Sequence, residues 1–222
     1  MIEIFTIKLS EVQNEEDYLF RCTDKLHRDR AMRFRQKDDR LRCLAAGYLM
    51  KHYIPDFSEE LISIGKQGKP TLINAVAFNI SHAGDYVVLA VCNEVSGVGV
   101  DVEPVGEMDC YRDILSYAMT EKEVQFIGED AHKAVCIWTR KESLYKCVGE
   151  GIEDFAELPE VTNEQVLFSG HLCRIRSWES DGHMFSVAWR SIGVPTAQSI
   201  KNIAVTIEGA SVERIKSKSR SV

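Results

Sequence analysis

No apolar run in this chain approaches the ~20 residues that a membrane-crossing helix needs, so no membrane partner is expected. The start, Met1-Ile2-Glu3-Ile4-Phe5-Thr6-Ile7, lacks the basic opening of a signal peptide and alternates like a β-strand. The seven cysteines (22, 43, 92, 110, 136, 147, 173) are scattered and odd in number, and none forms a C-x-x-C pair. Neither a zinc site nor a disulfide framework is indicated, and a reduced, cytoplasmic protein is the expectation. There is no short repeat and no low-complexity block. No G-x-S-x-G elbow surrounds Ser81. On an extended chain Ser81 and His82 point apart, which excludes a nucleophile–base pair made by these neighbours. Positive charge is the scarcer sign, 27 Lys and Arg against 34 Asp and Glu, and a net charge of −7 argues against bulk nucleic-acid binding.

What the chain does have is ordinary globular composition, 45% hydrophobic and 27% charged over 222 residues, enough for one large domain or two small ones. Its charge is uneven. Residues 21–42 hold nine Lys/Arg (21, 25, 28, 30, 33, 35, 37, 40, 42) against Asp24, Asp29, Asp38 and Asp39. Such a segment suits either a compact anion such as a phosphate or a solvated helix face with i,i+4 ion pairs.

Residues 2–9 read as a strand and 24–52 as one or two helices, with Leu41, Leu44, Ala45, Tyr48 and Leu49 at helical spacing. Leu61 to Ile64 is a short strand, Gly65 to Pro70 a turn, and Ser81 to Asp85 a loop. Tyr86–Cys92 and Gly97–Glu103 are predicted to form a hairpin around Asn93 to Ser96. Thr120-Glu121-Lys122-Glu123 matches a capping box. Asp130 is the predicted N-cap of a helix reaching about Val148, and Gly149 its stop. Residues 165–178 and 183–190 are strand-like around Asp181-Gly182, and 200–207 could add another strand. The order partly repeats beyond Pro104. The expected division is therefore a half at 1–104, a half at 105–210, and a basic, mobile tail at 211–222.

The chemistry-bearing residues fall in a few places. In Val98-Gly99-Val100-Asp101-Val102-Glu103 the valines face one side of a strand, and Gly99, Asp101 and Glu103 the other. Two carboxylates then lie beside a glycine where a ligand could approach. In Trp138-Thr139-Arg140-Lys141-Glu142-Ser143-Leu144-Tyr145-Lys146, read as a helix, Glu142 and Lys146 share a face, and Trp138 and Leu144 anchor it in the core. Alone, that pair is a common ion pair worth ~0.2–0.5 kcal/mol. Three carboxylates and a lysine meeting at one point would suit a divalent cation and a phosphate. Glu123 either closes the capping box with Thr120 or reaches the metal site to take a proton. Lys69, between Gly68 and Pro70, sits in a rigid turn whose ammonium suits a phosphate.

In order along the chain, Gln67-Gly68-Lys69-Pro70, Phe78-Asn79-Ile80-Ser81-His82-Ala83-Gly84, the Val98–Glu103 strand and the Trp138–Lys146 helix resemble the signature blocks of the 4′-phosphopantetheinyl transferases. The similarity is to the monomeric, surfactin-synthetase-activating type and covers roughly residues 1–205, with Arg33-Phe34 and Arg40-Leu41-Arg42 similar to an early helix. The resemblance implies an α/β (α+β) fold. It would be a pseudo-two-fold pair of similar subdomains, each with helices on an antiparallel-rich sheet and the active site between them. It implies transfer of the phosphopantetheine arm of coenzyme A to a serine of an acidic apo carrier protein, releasing adenosine 3′,5′-bisphosphate. Asp101, Glu103 and Glu142 would hold Mg2+, with Mn2+ as the alternative. Lys146 would assist the leaving or attacking oxygen. Glu142 would be the first choice of base and Glu123 the second. Lys69 with its neighbour Pro70, Ser81 and His82 would contact coenzyme A, and Arg42 (or, in its place, Arg40) and Arg30 would lie near its 3′-phosphate. The chain departs from the family at Gly149-Glu150-Gly151, where a lysine is common, and before Arg33, where His27 is an alternative to Arg30. Two rival readings share some of these residues: a metal-dependent coenzyme A or nucleotide pyrophosphate hydrolase, and a non-catalytic module that binds coenzyme A or a carrier protein.

Overall fold

A computed structural model describes residues 1–64, 70–72, 76–111, 113, 117–148, 155–191 and 200–204. These residues form two compact units. One holds Met1–Asn93 with a strand that returns near residue 200, and the other begins at Glu94. The fold class is α+β, as the motifs imply.

In the first unit β1 (Ile2–Lys8) buries Ile2, Ile4, Phe5 and Ile7. Its neighbours are β5 (Tyr86–Cys92), antiparallel, and β10 (Ile200–Ala204), parallel. With β4 (Ala77–Ala83) they make a sheet in the order β10-β1-β5-β4. Every residue of β5 is buried, as befits an apolar run on a central strand. The helical region is three pieces, α1 (Glu16–Cys22), α2 (Lys25–Ala31) and α3 (Lys37–Tyr53). The predicted stripe Leu41, Leu44, Ala45, Tyr48 and Leu49 on α3 is buried in one core with Phe5, Ile7, Val87 and Leu89. A separate ribbon pairs β2 (Ile62–Ile64) with β3 (Pro70–Leu72).

In the second unit β6 (Val95–Pro104), β7 (Gln165–Phe168), β8 (His171–Ser180) and β9 (His183–Ser191) form an antiparallel sheet in the order β6-β9-β8-β7. Helix α4 (Glu121–Ile127) starts in the predicted capping box, with Thr120 accepting from the Glu123 N–H and Glu123 from the Thr120 N–H. The long α5 (Ala131–Val148) packs on the sheet. Its buried Ala134, Ile137, Leu144, Cys147 and Val148 share a core with Val166, Cys173, Ile175 and Ala188.

Three local expectations are corrected. Tyr86–Cys92 and Val95–Pro104 do not form a hairpin: β1 and β4 flank β5, while β6 pairs with β9. Val95–Pro104 thus belongs to the second unit's sheet, although the sequence division put residues up to 104 in the first half. Ser81 and His82 lie in strand β4, and the turn is narrowed to Gly84-Asp85, with Gly84 at φ 52°. Residues 165–178 are two strands, because Ser169 and Gly170 (φ 49° and 76°) turn the chain back. The predicted Asp181-Gly182 turn is present, with φ 47° and 69°. Lys69, Glu150 and the tail 211–222 lie outside the described residues.

Candidate active site

Period-two alternation on β6 sends Gly97, Gly99, Asp101 and Glu103 to one face, and α5 lies against it. A Cβ on Gly99 would fall 2.1 Å from the Ser143 carbonyl oxygen and 2.4 Å from the Cys147 nitrogen. One on Gly97 would fall 2.7 Å from the Cys147 carbonyl oxygen. The glycine expected to admit a ligand therefore admits the helix backbone. Removing two side chains from the strand lets α5 settle close enough to bring its own acid and lysine to the strand's acids.

The result is a compact charged cluster. Lys146 Nζ donates to Asp101 Oδ1 at 2.6 Å and lies 3.8 Å from Glu142 Oε2. Asp101 is 2% exposed. Burial pushes the Glu103 carboxyl up to about 7, with the negative charges of Asp101 and Glu142 adding to the rise and Lys146 opposing it. Burial raises Glu142 as well, opposed by Lys146 and reinforced by Asp101. Asp101 thus raises both glutamates, and Glu142 raises Glu103, as expected of charges sharing a desolvated place. Of the predicted residues, Asp101, Glu103, Glu142 and Lys146 come together.

Three carboxylates against one ammonium leave net negative charge, and all the acceptors are hard oxygens, the donor set that suits Mg2+ or Mn2+. The residues fit a divalent cation in charge and chemistry. Among the described residues no three acidic, histidine or cysteine side chains stand close enough to enclose an ion as they are placed, and the Lys146 ammonium bridges two of these acids.

Glu123 has other work. Its side chain is 0% exposed. Oε2 accepts from the Thr120 N–H at 2.7 Å and sits 3.0 Å from Lys141 Nζ, while Oε1 accepts from the Val161 N–H at 2.9 Å. Both oxygens are committed to structural partners inside the protein, so the expected role of Glu123 in taking a proton or reaching a metal is not carried forward. Trp138 is only half-buried and stacks on Phe155 at 5.4 Å, and Phe155 stacks on Tyr145 at 4.9 Å. The core anchor expected of Trp138 is instead an aromatic stack.

The residues expected to contact coenzyme A lie in the first unit. Arg42 Nη2 donates to the Gly84 carbonyl at 2.9 Å and Nη1 to Asp39 Oδ1 at 2.9 Å. That holds Arg42 at the turn just beyond Ser81 and His82. Ser81 is buried and His82 exposed, as alternation on a strand requires. Arg40 is engaged with Glu16 at 2.7 Å and with the Arg35 carbonyl at 2.9 Å. Arg30 is exposed on α2, and Pro70 pairs with Ile64 across the β2–β3 ribbon. His27 is buried, with Nδ1 at 2.7 Å from Asp24 Oδ2. Lys141 was not singled out from the sequence, although it sits in the apolar stripe of α5 formed by Ala134, Ile137, Leu144 and Val148.

Comparison with known proteins agrees with this geometry. A family model described as the 4′-phosphopantetheinyl transferase superfamily matches residues 97–192, which hold all but the first two residues of β6 and the whole of α5. A second, described as 4′-phosphopantetheinyl transferase, N-terminal, matches residues 10–94. The chain is 32% identical over 140 residues to the 4′-phosphopantetheinyl transferase psf-1 of Bacillus pumilus, covering 55% of this chain and 56% of that protein. It is 29% identical over 167 residues to the transferase gsp of Aneurinibacillus migulanus, covering 68% of each. To the transferase Sfp of Bacillus subtilis (strain 168) it is 27% identical over 162 residues, covering 65% of this chain and 67% of Sfp. The match thus spans little more than half of psf-1 and about two thirds of the other two. Two family models in chain order, these relatives, and the acidic strand and Glu–Lys helix meeting at Asp101 lead to one conclusion: the chain belongs to the 4′-phosphopantetheinyl transferase superfamily, of the type that includes Sfp.

Proposed function

We propose that this chain transfers the 4′-phosphopantetheine arm of coenzyme A to a serine of an apo carrier protein, releasing adenosine 3′,5′-bisphosphate. The observation that carries the reading is the Lys146 ammonium set between Asp101 and Glu142 beside Glu103. Asp101, Glu103 and Glu142 would hold Mg2+, or Mn2+ in its place. Bound there, the cation supplies neutralisation of the diphosphate charge. Everything else falls to the chain. Glu142, made more basic by burial, accepts the proton of the serine hydroxyl, which is too weak a nucleophile while it keeps it. The serine oxygen forms a bond to the β-phosphorus as the bond to the bridging oxygen breaks. Lys146 meets the negative charge that builds on the departing bisphosphate. Arg42, Ser81 and His82, brought together by the Arg42 bond to the Gly84 carbonyl, are the described candidates for holding coenzyme A, with Arg42 (or Arg40) and Arg30 near its 3′-phosphate. Lys69 and Pro70 join them by resemblance.

The reading includes an acidic carrier partner and a monomeric, cytoplasmic enzyme, which its seven free cysteines fit. Raising the salt concentration is expected to weaken carrier docking with little change in the chemical step.

Intact-mass measurement of an apo carrier protein incubated with coenzyme A tests the proposal. The wild type gains one phosphopantetheine on the carrier, and a chelator removes the gain. Glu142→Ala is expected to abolish it while keeping the fold, and Lys146→Met to slow it by about 10²–10³-fold. Bisphosphate release with no gain on the carrier would instead identify a pyrophosphate hydrolase. Binding of coenzyme A indifferent to Mg2+ and without turnover would identify a binding module.

A further inference from the structure

Lys141 is a cation in the core. Its side chain is 1% exposed, and its ion-pair partner among the described residues is Glu123 at 3.0 Å, itself 0% exposed. Along α5 it occupies the middle of the buried stripe Ala134, Ile137, Leu144 and Val148, where an apolar residue would pack at least as well. Taking two ions out of water in that place is costly, and a hydrophobic pair of similar size is often as stable or more so. The pair offers direction, which a hydrophobic contact lacks.

Glu123 is itself fixed from two sides, by the Thr120 N–H at 2.7 Å on Oε2 and the Val161 N–H at 2.9 Å on Oε1. Its contact with Lys141 therefore ties the start of α4 and the backbone at Val161 to one point on α5. Elsewhere on α5, Ser143 and Cys147 lie against Gly99 of β6. The stretch that presents Glu142 is thus held at two places, by an ion pair at the residue before it and by close backbone packing at the residue after it.

We propose that Lys141, held by Glu123, is a positioning residue that sets the rotation and axial register of α5, and so delivers Glu142 and Lys146 to Asp101. The inference rests on the transferase reading and gives Glu123 its part in that site, through Lys141 rather than through a proton. Displacement of a reacting group by about 1 Å can cost about 10²-fold in rate.

The test compares full-length Lys141→Met, Glu123→Gln and the double variant Glu123→Gln/Lys141→Met. Melting temperature, steady-state kinetics with coenzyme A and an apo carrier, and Mn2+ affinity by electron paramagnetic resonance are measured for each. The single variants leave an uncompensated buried group and are expected to lower the melting temperature. The double variant, with no buried charge at this place, is expected to melt above either single variant but below wild type, because the glutamine NH2 must face one of the two backbone N–H groups that the carboxylate accepted. Its kcat is expected to stay at least about tenfold low with KM for coenzyme A within about twofold, and its Mn2+ affinity to stay about tenfold weak. A double variant that regains kcat and Mn2+ affinity overturns the proposal and leaves the pair a stabilising contact alone. If the double variant does not fold, Lys141→Arg, which keeps the charge but changes the reach of its head, replaces it. Low kcat at unchanged KM then supports positioning, and wild-type kcat overturns it. Should the wild type leave every apo carrier unmodified, the transferase reading falls, and the Mn2+ affinities alone decide the positioning role.

Discussion

Asp24 takes two bonds from one residue. Its Oδ1 accepts from the His27 N–H at 2.9 Å, capping α2, and its Oδ2 meets His27 Nδ1 at 2.7 Å. Burial pushes the Asp24 carboxyl up, but the hydrogen bond and charge of His27 together outweigh it and hold the carboxyl below the ordinary value of 3.8. A carboxylate depressed in the folded state stabilises the fold above the unfolded value and loses that contribution as pH falls through the folded one. Asp24→Asn, which can still cap the helix, is expected to cost about 1–3 kcal/mol at pH 7. The gap from wild type in thermal melts should close as pH drops below 3.8, and a gap that ignores pH would remove the charge from this account. At this scale the sequence was readable where a residue obeyed a period: Asp101 and Glu103 alternate on a strand, and Glu142 and Lys146 stand one helical turn apart. Glu123 was half-readable, since the capping box with Thr120 is local, but its distant partners, Lys141 on the same oxygen and the Val161 N–H on the other, are not. Lys141 could have been found as a lysine in an apolar stripe, which demands a buried acid. Only the fold names that acid.

At the scale of elements, the approach of α5 to β6 is set by two missing side chains. Gly99→Ala would place a carbon 2.1 Å from the Ser143 carbonyl oxygen, a backbone atom with no rotamer to give way. The helix must retreat, carrying Glu142 and Lys146 from Asp101. We expect a folded but crippled protein, with stability lowered by about 1–3 kcal/mol through overpacking and kcat down by about 10²-fold. Thermal melts and the carrier mass assay check both, and full activity would mean the cluster tolerates a shifted helix. Turns were readable by chemistry: Asp181-Gly182 announced a two-residue hairpin, and Ser169-Gly170 carried a comparable signal inside what read as one strand. The hairpin expected between β5 and β6 was not readable. The stretch Asn93 to Ser96 suggests a turn, yet which neighbour a strand takes depends on who else competes for its edge, and β1 and β4 hold both edges of β5.

Over the whole molecule, the first unit is closed by its most distant partner. Ile2 pairs with Ile200 and Thr6 with Ala204, parallel to β1, while the chain between builds the second unit. A strand near 200–207 was legible from composition, but its parallel pairing with the opening strand was not, because nothing local encodes a partner so far away. A variant ending at Ser199 is expected to leave the outer edge of β1 unpaired. Its amides on that edge should exchange with solvent at least about tenfold faster, with β9 amides unaltered. Unchanged protection in β1 would show that the strand does not depend on this neighbour. Translation gives the arrangement a temporal cost. At about 5–20 residues per second, Ile2 is added to the chain roughly 10–40 s before Ile200. Throughout that interval the nascent chain offers a bare strand edge to any passing polypeptide, so chaperone supply during synthesis, more than stability afterwards, should govern how much of this protein a cell recovers.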